Sequence, residues 1–140
     1  MLSGFSWLLF AATLVGCTGD GTSSSTSIEA NVPLIRSSSN SFTIDLDATN
    51  CTGNYFYALT FSTDTVDYSI DVNNYTSGNA TIVIRNSFAG VIHTDWVAAY
   101  GELSSDNSGN GIPTTCTVIC SAFTGKIRFA CYYRQPRRPL

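Results

Sequence analysis

Charge is scarce in this chain: Asp, Glu, Lys and Arg together make up 12% of its 140 residues, about half the share usual in soluble globular proteins. No charged side chain precedes Asp20, and histidine occurs once, at His93. Glycine-rich phosphate loops and nucleotide fingerprints are absent. So is any apolar stripe at helical spacing over the ten or more residues that an amphipathic helix needs. These absences argue against a nucleotide-dependent enzyme and against a helical cytosolic protein. What is plentiful is Ser, Thr, Asn, Gly and Tyr, the composition of an exported β-protein.

The uncharged N-terminal stretch has an apolar core over residues 7–15, too short for a conventional membrane-spanning helix of about 20 residues. It closes on Leu14-Val15-Gly16-Cys17 and opens into a Gly/Ser/Thr tract. That arrangement resembles the leader and lipobox of bacterial lipoproteins. The resemblance implies cleavage after Gly16, acylation of Cys17 and anchoring of the product outside the cytoplasm by its N-terminal lipid, at an outer membrane or cell surface. The expected organisation is therefore a leader over residues 1–16 and a lipidated cysteine with a Ser/Thr-rich tether over 17–28. A disulfide-stapled β-domain follows over 29–133, then a basic, Pro-rich tail over 134–140. The alternative is an apolar N-terminal helix that is kept and packed between copies.

Setting Cys17 aside leaves Cys51, Cys116, Cys120 and Cys131, an even number that suits two disulfides in an oxidising compartment. The favoured pairing is Cys116–Cys131 with Cys51–Cys120; Cys51–Cys116 with Cys120–Cys131 is the alternative. Closing the loop from Cys51 would add roughly 3–5 kcal/mol on the unfolded-state argument. A zinc site built from Cys116, Cys120, Cys131 and His93 has the right residue types, but exported cysteines on apolar strand faces more often pair with one another. Sequons at Asn50, Asn74 and Asn79 read as products of an Asn/Thr-rich surface.

Period-two alternation runs through the chain. Phe42, Ile44, Leu46 and Ala48 alternate with polar partners, as do Tyr68, Ile70 and Val72, and Ala80, Ile82 and Ile84. Residues 54–62 are apolar or aromatic on both faces and read as a central strand. Residues 74–79 read as a turn around Ser77-Gly78-Asn79. A longer strand over 91–100, bulged around residues 93–95, follows. Residues 116–122 and 127–133 read as a hairpin turning at Thr124-Gly125, with the three late cysteines on one face. About seven strands point to a small antiparallel β-sandwich, with a closed barrel as the alternative.

Catalysis finds little support. His93 lies two residues from Asp95, with Ser104 or Ser108 as formal candidates for a triad, but in so Ser-rich a chain the residue types alone carry little weight. Asp45, Asp47, Asp67 and Asp71 fall on polar strand faces, not on facing walls of a cleft. A small hydrolase is thus the least favoured reading. No cofactor is expected, with weak calcium binding as the alternative: the 106–111 stretch resembles a calcium loop in composition but places Thr117 where a twelfth-position acid is required.

Charge is divided unevenly: the last fifteen residues hold Lys126, Arg128, Arg134, Arg137 and Arg138 and no acid. Without interleaved aromatic platforms this tail reads as a solvated terminus, with no nucleic-acid partner expected. The tyrosines are too many for a small core, and Trp96 reads as core. The remaining candidate for binding is residues 101–113, taken as one long loop, with Tyr75, Tyr100, Asp106, Asn107 and Asn110 as candidate contacts. The preferred function is a non-enzymatic, surface-anchored β-sandwich that binds a protein or glycan or contributes to a surface assembly. The alternative is a self-assembling subunit of a filament or shell.

Overall fold

The computed structural model describes residues 29–99, 101–106 and 111–135. Among them there is no helix, and six strands form one open antiparallel sheet: β1 (Leu34–Ser37), β2 (Ser41–Ala58), β3 (Val66–Asn86), β4 (Val91–Val97), β5 (Gly101–Asp106) and β6 (Pro113–Tyr133). The spatial order is β1-β2-β6-β3-β4, with β5 also paired to β3. The expected all-β, antiparallel class holds, and the sheet is not closed into a barrel.

Three of the strands, β2, β3 and β6, are 18, 21 and 21 residues long, far beyond the usual five or six. Each is broken by register shifts near its middle, between Ala48 and Gly53 on β2 and between Asn73 and Asn79 on β3. Backbones at that level turn left-handed: Asn50 has φ 48°, Asn74 52°, Gly78 74° and Ala122 48°. Asn and Gly tolerate that region best, and bulges bend a strand and re-aim it. Threonines stitch the kinks together, Thr124 Oγ1 accepting from Asn50 N–H at 2.8 Å and Thr52 Oγ1 from Ala122 N–H at 2.9 Å.

Because three adjacent strands bend at one level, the sheet creases and its two halves face each other. The first half holds β1, residues 41–48, 125–133 and 66–73, and β5; the second holds residues 51–58, 113–123 and 77–86, and β4. Contacts between the halves include Phe42 on Tyr57 at a 6.0 Å centroid separation and Tyr68 stacked on His93 at 4.1 Å. The sandwich is thus one folded sheet. Inward side chains of both halves, among them Ile44, Tyr68, Phe129, Ile82, Val118 and Phe123, form a single core.

Two expected turns are absent. Residues 116–133 do not form a hairpin at Thr124-Gly125 but run through as one strand, so Cys131 lies beside Phe42 and Tyr68, while Val118 lies beside Tyr55 and Ile82. Likewise residues 74–79 are a kink within β3. The glycine and asparagine signals were bulge signals: the chain turns left-handed there without reversing direction. Residues 54–58 are not central either. In the second half β2 has β6 on one side and no described strand on the other, since β1 reaches only Phe42 to Asp45. The bulge expected at residues 93–95 falls at Ile92, where Ile84 pairs His93 and Arg85 pairs Val91.

Candidate functional site: an uncharged face and its open edges

The two outward faces of the sandwich differ in chemistry. On the first half, the outward residues include several paired charges. Asp45 is only 5% exposed and is held by Arg36 (Nη1–Oδ2 2.6 Å) and Arg128 (Nε–Oδ1 2.7 Å); Lys126 meets Asp47 at 2.7 Å, and Arg134 bonds Asp67. Burial pushes the Asp45 pKa up, but the hydrogen bonds and charges of Arg128 and Arg36 outweigh it and hold the carboxyl below its usual value. These aspartates are therefore more than solubilising groups, because Asp45 is an ordered bridge between β1 and β6.

On the second half, the outward residues are Asn54, Phe56 and Ala58 from β2, Thr115, Thr117, Ile119 and Ser121 from β6, Asn79, Thr81, Val83 and Arg85 from β3, and Thr94 and Trp96 from β4. Arg85, at one end, is the sole charged residue among them. Phe56 is 67% exposed, Trp96 66% and Ile119 40%, around a buried Val83. Trp96 is thus a surface residue and not core: Asp95 and Val97 take the inward positions, so alternation sends the indole out. Phe56 and Trp96 stand at opposite edges of this face, with Ile119 and Val83 between them.

The face ends at two open edges. At one lies the 51–58 segment of β2, within a run free of charge from residue 48 to 63. At the other lies β4, paired on its described side by β3. An edge presents backbone groups ready to pair with another chain, and natural sheets blunt such edges with Lys, Pro or charge. The 51–58 segment carries none of these.

His93 points inward from β4, its Nε2 2.7 Å from Asp95 Oδ2 and its ring against Tyr68 and Phe129. The imidazole is packed between the halves, its side chain 11% exposed. Ser104 sits on β5 opposite Ser69, and Ser108 lies outside the described residues.

The candidate binding loop is partly a strand: residues 101–106 form β5, paired to β3 from Val72 to Asp67. Asp106 therefore stands opposite Asp67, at the far end from the crease, where Tyr75 sits with its hydroxyl donating to Gly78 C=O at 3.0 Å and its ring 6.1 Å from Phe123. Tyr75 and the Asp106 backbone thus stand at opposite ends of this stretch of β3. Tyr100, Asn107 and Asn110 lie outside the described residues, as do Cys17, the leader, most of the 106–111 stretch and the tail beyond Gln135. No group of metal-ligating side chains occurs among the described residues.

The four described cysteines are buried and, as unbonded sulfurs, group in two pairs. Burial first, then the neighbouring Cys51, push the Cys120 thiol up to about 12. Burial and then Cys131 across the sandwich push Cys116 upward. Cys51 Sγ is also 3.2 Å from the Tyr55 hydroxyl, which donates to Asn31 C=O at 2.9 Å. Cys116 comes from the second half and Cys131 from the first, so that pair spans the two layers.

The sequence signal for the uncharged face was available: no charge between Asp47 and Asp64, and none between Asp106 and Lys126. Its outward direction was not, because the strands that carry it were split at turns that are really kinks.

No family model and no curated protein matches this chain. Among solved structures it is similar to a chain of the Bacillus endospore appendages, described as a novel family of disulfide-linked pili, at 18% identity and a TM-score of 0.45, covering 89% of this chain and 100% of that one. It is also similar to CsCBM6-3 from Clostridium stercorarium, solved in complex with cellobiose, at 11% identity and a TM-score of 0.32, covering 79% and 99%.

Proposed function

We propose that this protein is a non-enzymatic module of the cell exterior, lipid-anchored through Cys17, that contributes to a surface assembly by adding a strand from another polypeptide to its open β2 edge. The observation that carries this reading is the 51–58 edge, uncovered by any described strand and free of charge, beside the exposed Phe56. Strand addition supplies main-chain hydrogen bonds, and side chains on the flanking face supply specificity. The exposed Trp96 near Thr81 and Thr94 supports glycan contact as a second reading, since an indole stacks on a sugar face and hydroxyls bond its edge. The packed His93 supports a protein without catalysis.

The test is the oligomeric state of the full chain by light scattering over a concentration series. The parent is expected to associate, and Asn54→Lys with Ala58→Lys, both exposed on the edge strand, to shift it to monomer with its unfolding midpoint kept. Association unchanged by the two lysines sinks the edge as the contact. Fatty-acid labelling of the parent but not of Cys17→Ser is the expected result for the anchor; equal label in both refutes it.

The same reading includes two disulfides, Cys51–Cys120 and Cys116–Cys131, supported by the grouping of the sulfurs. Each pair would lose two protons and two electrons to a disulfide-exchanging oxidant outside the cytoplasm. Thiol titration of the native protein in denaturant without reductant is expected to find none of these four reactive, and four reactive thiols would refute it. Peptide mapping distinguishes this pairing from Cys51–Cys116 with Cys120–Cys131.

A further inference from the structure

We infer that the strand received by the β2 edge is β4 of a second copy of this chain, and that Phe56 of one copy packs beside Trp96 of the next on a continuous face whose described charge is Arg85 alone, at one end. The inference rests on the assembly reading above and names its seam.

Strand direction carries the argument first. In the second half of the sandwich the order is β2, β6, β3, β4, and every pairing is antiparallel. Four alternating strands end in opposite directions, so β4 of one copy and β2 of an identically oriented neighbour meet antiparallel, the more stable pairing. The first half ends differently. Its order is β1, β2, β6, β3, β5, again antiparallel throughout. Five alternating strands end in the same direction, so a repeat of that layer would force a parallel seam. The geometry selects the four-stranded layer for propagation.

Side-chain parity agrees. Asn54, Phe56 and Ala58 point outward on β2, and Thr94 and Trp96 on β4, each opposite an outward residue of its paired strand. An antiparallel register that sets Phe56 beside Trp96 also sets Ala58 beside Thr94 and keeps inward residues inward. Directly opposed side chains in such a ladder stand about 5 Å apart, and aromatic pairs are among the most favourable there. The two largest exposed rings on this face, Phe56 and Trp96, thus stand at its two opposite edges, where one seam covers both. Charge does not oppose the contact: the β4 acid, Asp95, is inward and held by His93. Such a head-to-tail contact does not close on itself by two-fold symmetry, so it builds a ring or a filament.

The experiment is a charge exchange across the seam in the full chain, read by light scattering and electron microscopy. Phe56→Lys alone and Trp96→Glu alone are each expected to raise the apparent dissociation constant about 30-fold or more, with the unfolding midpoint kept because both side chains are solvated. The double variant places Lys against Glu at every seam and is expected to recover association. A parent that stays monomeric at every concentration overturns the assembly reading and this seam with it. Association lost with Phe56→Lys but kept with Trp96→Glu overturns the seam and leaves the β2 edge in contact with something else. Association kept in both single variants, or a double variant that stays dissociated, overturns the seam alone.

Discussion

Gly78→Ala is expected to lower the stability of the domain by roughly 2–5 kcal/mol, the combined scale of a left-handed backbone forced on a residue with a β-carbon and of overpacking. The position has φ 74°, and an added methyl would stand 2.2 Å from the carbonyl oxygen of Ala122 on the neighbouring strand. That neighbour is backbone at the kink of β6, so it cannot swing aside as a side-chain tip would. The loss is a large share of the 5–15 kcal/mol typical of a domain. Urea unfolding followed by far-ultraviolet circular dichroism measures it; a midpoint within error of the parent would mean that the crease is not held by this close approach.

Phe129→Ala and Phe56→Ala should separate core from surface although the deleted ring is the same. Phe129 is wholly buried between Ile44 and Ile70 in register, in the layer that faces His93, and its truncation is expected to cost about 3–5 kcal/mol. Truncating Phe56, two-thirds exposed, is expected to change the unfolding free energy of the dissociated protein by less than about 0.5 kcal/mol. A large destabilisation by Phe56→Ala in the monomer would mean that the ring is part of the fold and not of a contact surface.

Strand identity was legible in the sequence because the inward residues alternate almost without error: Phe42 to Ala48, Tyr68 to Val72 and Ala80 to Ile84 are all core. Connectivity was less so. Ser77-Gly78-Asn79 and Thr124-Gly125 carry the residues of tight turns, and the same tolerance for left-handed φ serves a bulge as well as a reversal. Local propensity cannot choose between them; the choice is made by β2, whose own kink at Asn50 lies beside theirs and lets three strands bend together. The same ambiguity reaches the site, because reading residues 54–58 as central puts Phe56 in a core, and Trp96 with it. Only the pairing pattern shows that β1 stops short and leaves that segment at an edge.

The three long strands also set how the molecule carries load. In a sandwich of two separate sheets, sliding one layer over the other strips side-chain contacts alone. Here the peptide chain crosses the crease three times, through β2, β3 and β6, so the same shear must draw out covalent backbone or melt the ladders on both sides together. The fold behaves as a hinge with three pins, in which neither leaf can be torn from the other while the pins are intact. Tension directed along the strands, from one leaf to the other, is therefore borne by three lengths of backbone.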